Sequence, residues 1–391
     1  MAQKKIQPDR KFIKDVIECG ADSVKQCYQC ATCSTVCPLS SEENPFPRKE
    51  MLWTQWGLKD KLVSDPDIWL CYQCSDCSVY CPREADPGNV LAALRNYSFS
   101  YFAFPGFLGR AFREWRFLPF LLSLPIIFFL IVLSAQGRLH FPSSEAVAES
   151  IANGHGFFHP MFSHLTVDVT FIVLVLAVIG LSAFSMYRFW QALRRNDRDL
   201  CFSVWDVIKK SAIPALIVFL PHNRFKECGA DPNKRLAHLY IMYGCLSFAL
   251  VTGIIFLGTY IITAIPTDLP LSMSHPLKII ANAGVVFVLI GSSIVIHRKL
   301  KGGKESGNNS FLDWNLIILI VSITVVGLFV QFTRLMELSE AAYVLYFIHL
   351  VLVFYGIVYF PYSKLAHMLY RSVATIYADY RRQYLLENKQ R

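Results

Sequence analysis

Two regimes of hydrophobic and polar residues divide the chain. Over residues 1–96 apolar and polar positions are mixed, with cysteine, proline and charge dense along the stretch. Within it MLWTQWGLKDKL places apolar residues at helical spacing, which predicts a helical scaffold. Past residue 116 come six apolar runs, at about 117–135, 166–189, 238–262, 277–297, 314–334 and 341–362. Each is long enough for a spanning helix, which needs roughly 20 residues. Between the regimes, 97–116 interleaves aromatic rings with arginines (YSFSYFAFPGFLGRAFREW), a composition suited to the headgroup layer, and is expected to be an interfacial connector. A further apolar stretch at 213–220 carries Pro214 and is followed by Pro221; it is too short to span and is expected at the surface. The pattern predicts an all-α protein: a small helical domain, a six-helix transmembrane bundle over 117–370, and a polar tail at 371–391.

Charge orients this bundle. The chain has 391 residues, 54% of them hydrophobic, and a formal net charge of +9. Basic charge of that size can mark a nucleic-acid binder, so its placement matters. With the N-terminal domain inside and six crossings, the inner loops hold Arg188, Arg194, Arg195, Arg198, Lys209, Lys210, Lys226, Lys234, Arg235, Arg298, Lys299, Lys301 and Lys304, and the tail adds Arg371, Arg381 and Arg382. The outer loops, about 136–165, 263–276 and 335–340, hold Arg138 and no other Lys or Arg. The positive-inside rule then places both termini in the cytoplasm (of a bacterial inner membrane, by the resemblance drawn below), and the charge is topological rather than a nucleic-acid footprint. Residues 1–15 have no apolar core, so a cleaved signal peptide is not expected, and the first domain stays where thiols are reduced.

Eight of the 12 cysteines form two runs, Cys27-x2-Cys30-x2-Cys33-x3-Cys37-Pro38 and Cys71-x2-Cys74-x2-Cys77-x3-Cys81-Pro82. This is the bacterial ferredoxin spacing, in which three thiolates wrap one cubane and the fourth reaches the other. One 4Fe–4S cluster is therefore expected on Cys27, Cys30, Cys33 and Cys81, and a second on Cys71, Cys74, Cys77 and Cys37. Structural zinc sites use pairs of Cys-x2-4-Cys rather than triplets with a trailing Cys-Pro. No Cys-x2-Cys-His occurs, so no c-type haem attaches here. Cys19, Cys201, Cys228 and Cys245 follow no pattern and read as ordinary thiols.

Histidine inside an apolar span is costly and usually has a partner. His349 and His367 are 367 − 349 = 18 residues apart, five turns at 3.6 residues per turn. On one continuous helix they share a face about 27 Å apart, close to the ~30 Å hydrocarbon thickness, with Pro361 between them as a kink. A haem b with two histidine ligands needs a second histidine at matching depth. His238, in RLAHLYIMYG at the start of the third span, is level with His367 and pairs with it. For His349 the outer-side candidates are His155, His159, His164 and His275, of which His164, entering the second span directly, is preferred. Lys278, Asp168 and Arg334 stand at outer helix ends; the resemblance given next implies a quinone there, for which they are the candidate hydrogen-bond donor and proton acceptors.

The doubled Cys-Tyr-Gln-Cys motif resembles the C subunit of heterodisulfide reductase, a helical ferredoxin. The stretch FIHLVLVFYGIVYFPYSKLAH at 347–367 resembles the last helix of the nitrate reductase gamma subunit, with its two haem histidines, and the last five spans resemble that subunit and the haem b subunit of heterodisulfide reductase. Fusion of the two modules resembles the membrane subunit of the quinone-interacting membrane-bound oxidoreductase complexes of sulfate reducers. The resemblance implies two 4Fe–4S clusters, one or two haems b (two preferred), and menaquinol or menaquinone as membrane substrate. It further implies cytoplasmic flavin- and iron–sulfur-bearing subunits of the same complex as partners, serving adenylylsulfate reductase. In the gamma subunit a lysine at the position of Lys278 belongs to the quinol site. Phe248 replaces the second partner histidine of that subunit, and the 117–135 span is additional. A redox-gated transporter is disfavoured, since few ionisable groups other than histidine lie within the spans. Adjacent cysteines for heterodisulfide chemistry are absent.

Overall fold

The computed structural model describes residues 7–195, 204–207, 209, 232–262, 271–302 and 310–389. The stretch at 213–220, together with Cys201 and Cys228, lies outside them. Every regular element among the described residues is helical. The first domain is built from short helices, α1 (Arg10–Glu18), α2 (Thr32–Thr35), α3 (Arg48–Gln55), α4 (Lys59–Val63), α5 (Asp67–Leu70) and α6 (Asp76–Val79), followed by the longer α7 (Pro87–Phe102) and by α8 (Gly106–Arg113). Caps readable in the sequence set several boundaries. Asp9 accepts from the Phe12 N–H at 3.0 Å to start α1, and Asp86 caps α7 with Pro87 at its first position.

Six of the following helices are long and apolar enough to cross a membrane: α9 (Leu118–Ala135), α11 (His164–Arg194), α13 (Pro232–Leu257), α14 (Pro276–Lys301), α15 (Phe311–Leu335) and α16 (Ser339–Val358). Between them lie α10 (Ser144–Ala152) and the short α12 (Val204–Val207), and α17 (His367–Lys389) ends the described chain. Ser163 and Ser310 cap α11 and α15. Helix α13 packs on α14, α14 on α15, α15 on α16, and α16 on α9 and α11. Glycines bring α13 and α14 together: a Cβ on Gly291 would stand 2.7 Å from the Ala237 carbonyl oxygen, and one on Gly284 would overlap the Ser247 hydroxyl.

The last span departs from the single helix expected over 341–367. Helix α16 stops at Val358, two 3-10 turns follow at Phe360–Tyr362 and Lys364–Ala366, and α17 begins at His367. Pro361 has no N–H to give and its ring clashes with the carbonyl four residues back. The Ser363 hydroxyl accepts from Leu365 N–H at 3.2 Å, and Tyr362 donates to the Phe104 carbonyl at 2.7 Å, which fixes the break. His349 and His367 therefore sit on separate helices, and the five-turn register between them does not apply.

The cysteine domain shares its core with the ends of two other helices. Phe12, Val16, Met51, Trp69, Val90, Leu94 and Phe99 pack with Phe189 and Leu193 of α11 and with Tyr370, Ala374 and Tyr377 of α17. Trp69 stacks on Tyr370 with ring centroids 4.8 Å apart. The 31-residue α11 is about 46 Å long at 1.5 Å per residue, so its last turns outrun the bilayer core and enter this cluster. The aromatic stretch expected at the interface divides: Tyr97, Phe99 and Phe102 are buried in the same core, while Phe104, Phe107 and Trp115 stay exposed.

Candidate metal centres

The two cysteine runs fold as the same loop made twice. Gln29 and Gln73, and then Ala31 and Ser75, adopt left-handed backbone at φ 61°, 53°, 70° and 77°. None is glycine, and each such residue costs about 1 kcal/mol or more. Repetition at equivalent positions shows what the strain achieves: successive N–H groups turn toward the sulfurs, a concavity suited to an anionic centre. Helices α2 and α6 start directly after, carry Cys33 and Cys77 at their second residues, and pack on each other. Gln55 of α3 fastens the first loop, its amide donating to the Val24 and Cys27 carbonyls at 3.0 and 2.9 Å.

This packing sorts the eight thiols across the motifs. Cys27, Cys30, Cys33 and Cys81 face one another and line a single surface concavity with Tyr28, Arg48 and Arg83. Cys37 and Cys77 face Cys71 and Cys74. N–H groups point at the sulfurs: Gln29 Nε2 at Cys27 and Gln73 N at Cys71, both at 3.3 Å, and Ala85 N at Cys81 at 3.4 Å. Burial pushes the Cys33 thiol up to about 11 and the Cys37 thiol up to about 12. Thiols like these ionise at neutral pH only with a coordinated cation, and the donor set fits iron–sulfur clusters.

His238 of α13 and His367, first residue of α17, meet with ring centroids 6.3 Å apart. Two metal–nitrogen bonds of about 2 Å, plus the distance from each nitrogen to its ring centre of about 1.1 Å, span roughly 6 Å, so the separation would suit one metal ion held by both rings. His367 Nδ1 lies 2.6 Å from the Lys364 carbonyl, which can only accept; Nδ1 carries the proton and Nε2 remains as donor to a metal. Sequence reasoning did not single out the cations beside these histidines. Lys234, one turn before His238, donates to the Gln73 carbonyl. Arg371, one turn after His367, donates to the Cys71 and Leu70 carbonyls at 3.3 and 3.4 Å and lies over the Tyr72 ring. Arg95 completes the grip through the Ile68 carbonyl and Gln73 Oε1, both at 2.8 Å. Their signal was a basic residue four positions from each histidine.

The other sequence candidates are more dispersed. His349 lies ten residues into α16, with its Nδ1 buried and lacking a hydrogen-bond partner, and Gly327 of α15 leaves room for its ring: a Cβ there would stand 3.0 Å from His349 Cε1. His164 begins α11 and its Nε2 is 2.7 Å from the His155 carbonyl; its ring neighbour is His159, not His349. His275 caps α14, its Nδ1 accepting from Leu277 N–H at 3.2 Å. Asp168 accepts from the Tyr260 hydroxyl at 2.5 Å, and Tyr260 sits in a π turn that sequence reasoning missed. Lys278 and Arg334 are electrostatic neighbours.

Residues 23–85 match the family profile of the 4Fe-4S dicluster domain. The chain is similar to the C subunit of the H(2):CoB-CoM heterodisulfide,ferredoxin reductase of Methanothermobacter marburgensis, 33% identical over 89 residues, 22% of this chain and 48% of that protein. It is also similar to an iron-sulfur C subunit of the CoB--CoM heterodisulfide reductase of Methanocaldococcus jannaschii, 36% identical over 96 residues, 22% of this chain and 51% of that protein. A protein of Archaeoglobus profundus, itself described as like the heterodisulfide reductase C subunit, is 30% identical over 97 residues, 24% of this chain and 52% of that protein. The chain thus spans about half the length of the curated relatives it matches. No solved structure matches it. The chain carries an iron–sulfur electron-transfer domain similar to these C subunits, joined to six helices long and apolar enough to span a membrane.

Proposed function

We propose that the chain is the membrane subunit of a respiratory oxidoreductase complex, passing electrons between menaquinol and cytoplasmic flavin- and iron–sulfur-bearing subunits. The observation that carries this reading is the junction at residues 70–73. The helices bearing His238 and His367 each extend one turn to hold the loop of Cys71 and Cys74, through Lys234 and Arg371. A haem b on that histidine pair and a cluster on Cys37, Cys71, Cys74 and Cys77 would be neighbours in one rigid frame. The concavity of Cys27, Cys30, Cys33 and Cys81 opens to the surface, where a partner subunit reaches it.

When bound, these groups supply single-electron exchange; the residues supply position and protons. The Lys364 carbonyl orients His367 by holding Nδ1–H. Arg371, Lys234 and Arg95 place positive charge beside a centre that becomes more negative on reduction. At the other end of the bundle Asp168 is the proton acceptor for a quinol hydroxyl, Tyr260 orients its carboxylate, and Lys278 is a donor to a quinone oxygen. With the first domain on the cytoplasmic side, proton release and electron transfer run in opposite senses across the membrane. His349, with its buried Nδ1 and the space at Gly327, is the candidate ligand for a second haem.

The test is the dithionite-reduced visible spectrum of the purified chain with iron, sulfide and haem counts, on wild type, His238→Gln and His367→Gln. A b-type band in wild type that is lost or halved in either variant, with the sulfide count unchanged, is the expected result. No band in wild type, or a full band in both variants, would sink the reading.

A further inference from the structure

The loop between α10 and α11 gathers three of the histidines weighed above as mates for His349. His155 and His159 stack with ring centroids 4.7 Å apart, and His159 meets His164 at 5.8 Å. Separate anchors hold the three. Helix α10 closes in a left-handed turn at Gly154 (φ 74°), and the His155 N–H donates to the Ser150 carbonyl at 2.9 Å, which fixes His155 at the helix end. Arg138 donates to the His159 carbonyl at 3.1 Å. His164 is locked as first residue of α11 behind its cap Ser163, and its Nε2 carries the proton given to the His155 carbonyl, so Nδ1 is left as a base. The segment between them is fastened to α16: Tyr343 donates to the Phe157 carbonyl at 2.5 Å, and Phe158 stacks on Tyr346 at 4.2 Å. These rings are held close together on a rigid loop, and His155 and His164 are open to solvent.

We propose that His155, His159 and His164 form a binding site for a divalent transition-metal cation, of which zinc is the model, with water completing the coordination. Metal–nitrogen bonds of about 2 Å at tetrahedral angles put two imidazole centroids roughly 5 Å apart. The separations of His159 from its two neighbours, 4.7 and 5.8 Å, bracket that value; the His155 and His159 rings, stacked 20° from parallel, turn about their Cβ–Cγ bonds to bring their nitrogens together. Imidazole nitrogens with an open fourth position are a zinc or copper donor set, not one for calcium or magnesium. Local electrostatics accept the cation despite Arg138. The C-terminal carbonyls of α10 end beside His155, and the Asp168 carboxylate lies one turn beyond His164. The site takes His164 out of the haem role weighed for it above and uses neither His238 nor His367.

The experiment uses the full chain with its iron–sulfur clusters intact, purified through a tag without histidine, treated with EDTA and dialysed against micromolar Zn2+. The expected result is one zinc per chain in wild type, with affinity lowered at least about tenfold in His159→Gln and in the double variant His155→Gln, His164→Gln, and unchanged in His140→Gln. Zinc binding unchanged by the double variant, or none in wild type, overturns the proposal. A second measurement on wild type alone keeps folding of the variants out of the question. Added Cu2+ should show nitrogen superhyperfine coupling from at least two imidazoles in its EPR spectrum, and a spectrum without nitrogen coupling overturns the proposal as well.

Discussion

Replacing Lys49 with methionine keeps an unbranched side chain of similar length and removes the ammonium, which lies 5.2 Å over the Trp53 ring centroid. That ammonium lies 3.3 Å from Glu50 Oε1, 3.1 Å from Asp65 Oδ2 and 2.5 Å from Asp67 Oδ2. Glu50 and Asp65 are buried, and neither oxygen of Glu50 has a hydrogen-bond partner in the structure, so Lys49 is its compensating charge. At an effective dielectric constant of about 20, each pair at ~3 Å is worth about 5 kcal/mol, an upper bound of about 15 for the three. Desolvation of four groups cancels most of that, and removing one partner of a buried pair costs about 3–5 kcal/mol. The pH dependence fixes the mechanism. Burial and then Asp65 hold the Glu50 pKa well above the ordinary carboxyl value, while Lys49 opposes them. A carboxyl whose folded pKa is raised contributes stability that is full below its unfolded value of about 4.3 and is lost as pH rises through the folded value. Without Lys49 the folded pKa rises further, so the variant loses more at slightly alkaline pH than near pH 5. Thermal unfolding of the cysteine domain, followed by near-UV circular dichroism, should show the midpoint falling by more than about 10 °C at pH 7.5. The gap to wild type should narrow at pH 5.5. A change equivalent to less than about 1 kcal/mol at pH 7.5 refutes the electrostatic reasoning, and a large change equal at both pH values refutes its protonation step.

Tyr370→Ala removes the ring stacked on Trp69 and should destabilise the cysteine domain, not only α17, by about 3–5 kcal/mol, read from the Trp fluorescence unfolding transition in denaturant. Gly291→Val drives a branched side chain into the Ala237 carbonyl and Ile241 backbone, and should cost about 1–3 kcal/mol or more of bundle stability in detergent unfolding; a neutral effect would mean that α13 and α14 separate freely. Arg371→Gln removes a cation that donates to the Cys71 carbonyl, and should lower the reduction potential of one cluster by tens of millivolts in a redox titration monitored by EPR, leaving the other unchanged. Equal shifts in both clusters would show that Arg371 acts through the fold and not through local charge.

Much of the fold is legible because its forces are local in sequence. Apolar runs located the spanning helices to within a few residues at most ends, and Asp9, Ser163 and Ser310 mark helix starts by their own chemistry. What the pattern hides is decided by distant partners. The hydrophobic run at 341–362 continues through Pro361 without a change of composition, and only the packing of Tyr359 and Tyr362 on Leu121 and Phe104 shows where the helix ends. Tyr97, Phe99 and Phe102 have the composition of a headgroup belt and are instead buried: Phe12 packs on Tyr97, and Phe189 and Tyr370 return from far along the chain to cover Phe99 and Phe102. Charge counting has the same blind spot. Lys234 and Arg371 score as two more cations on the inner side, counted the same as Arg381. In the structure each stands one helical turn from a histidine of the 6.3 Å pair and donates to the backbone of residues 70–73. A cation bonded to a carbonyl beside Cys71 is lost to topology as a solvated charge and gained as a strut between the histidine pair and the cysteine loop. Topology and this junction therefore draw on the same basic residues, and a rule that counts only their number recovers the first and misses the second.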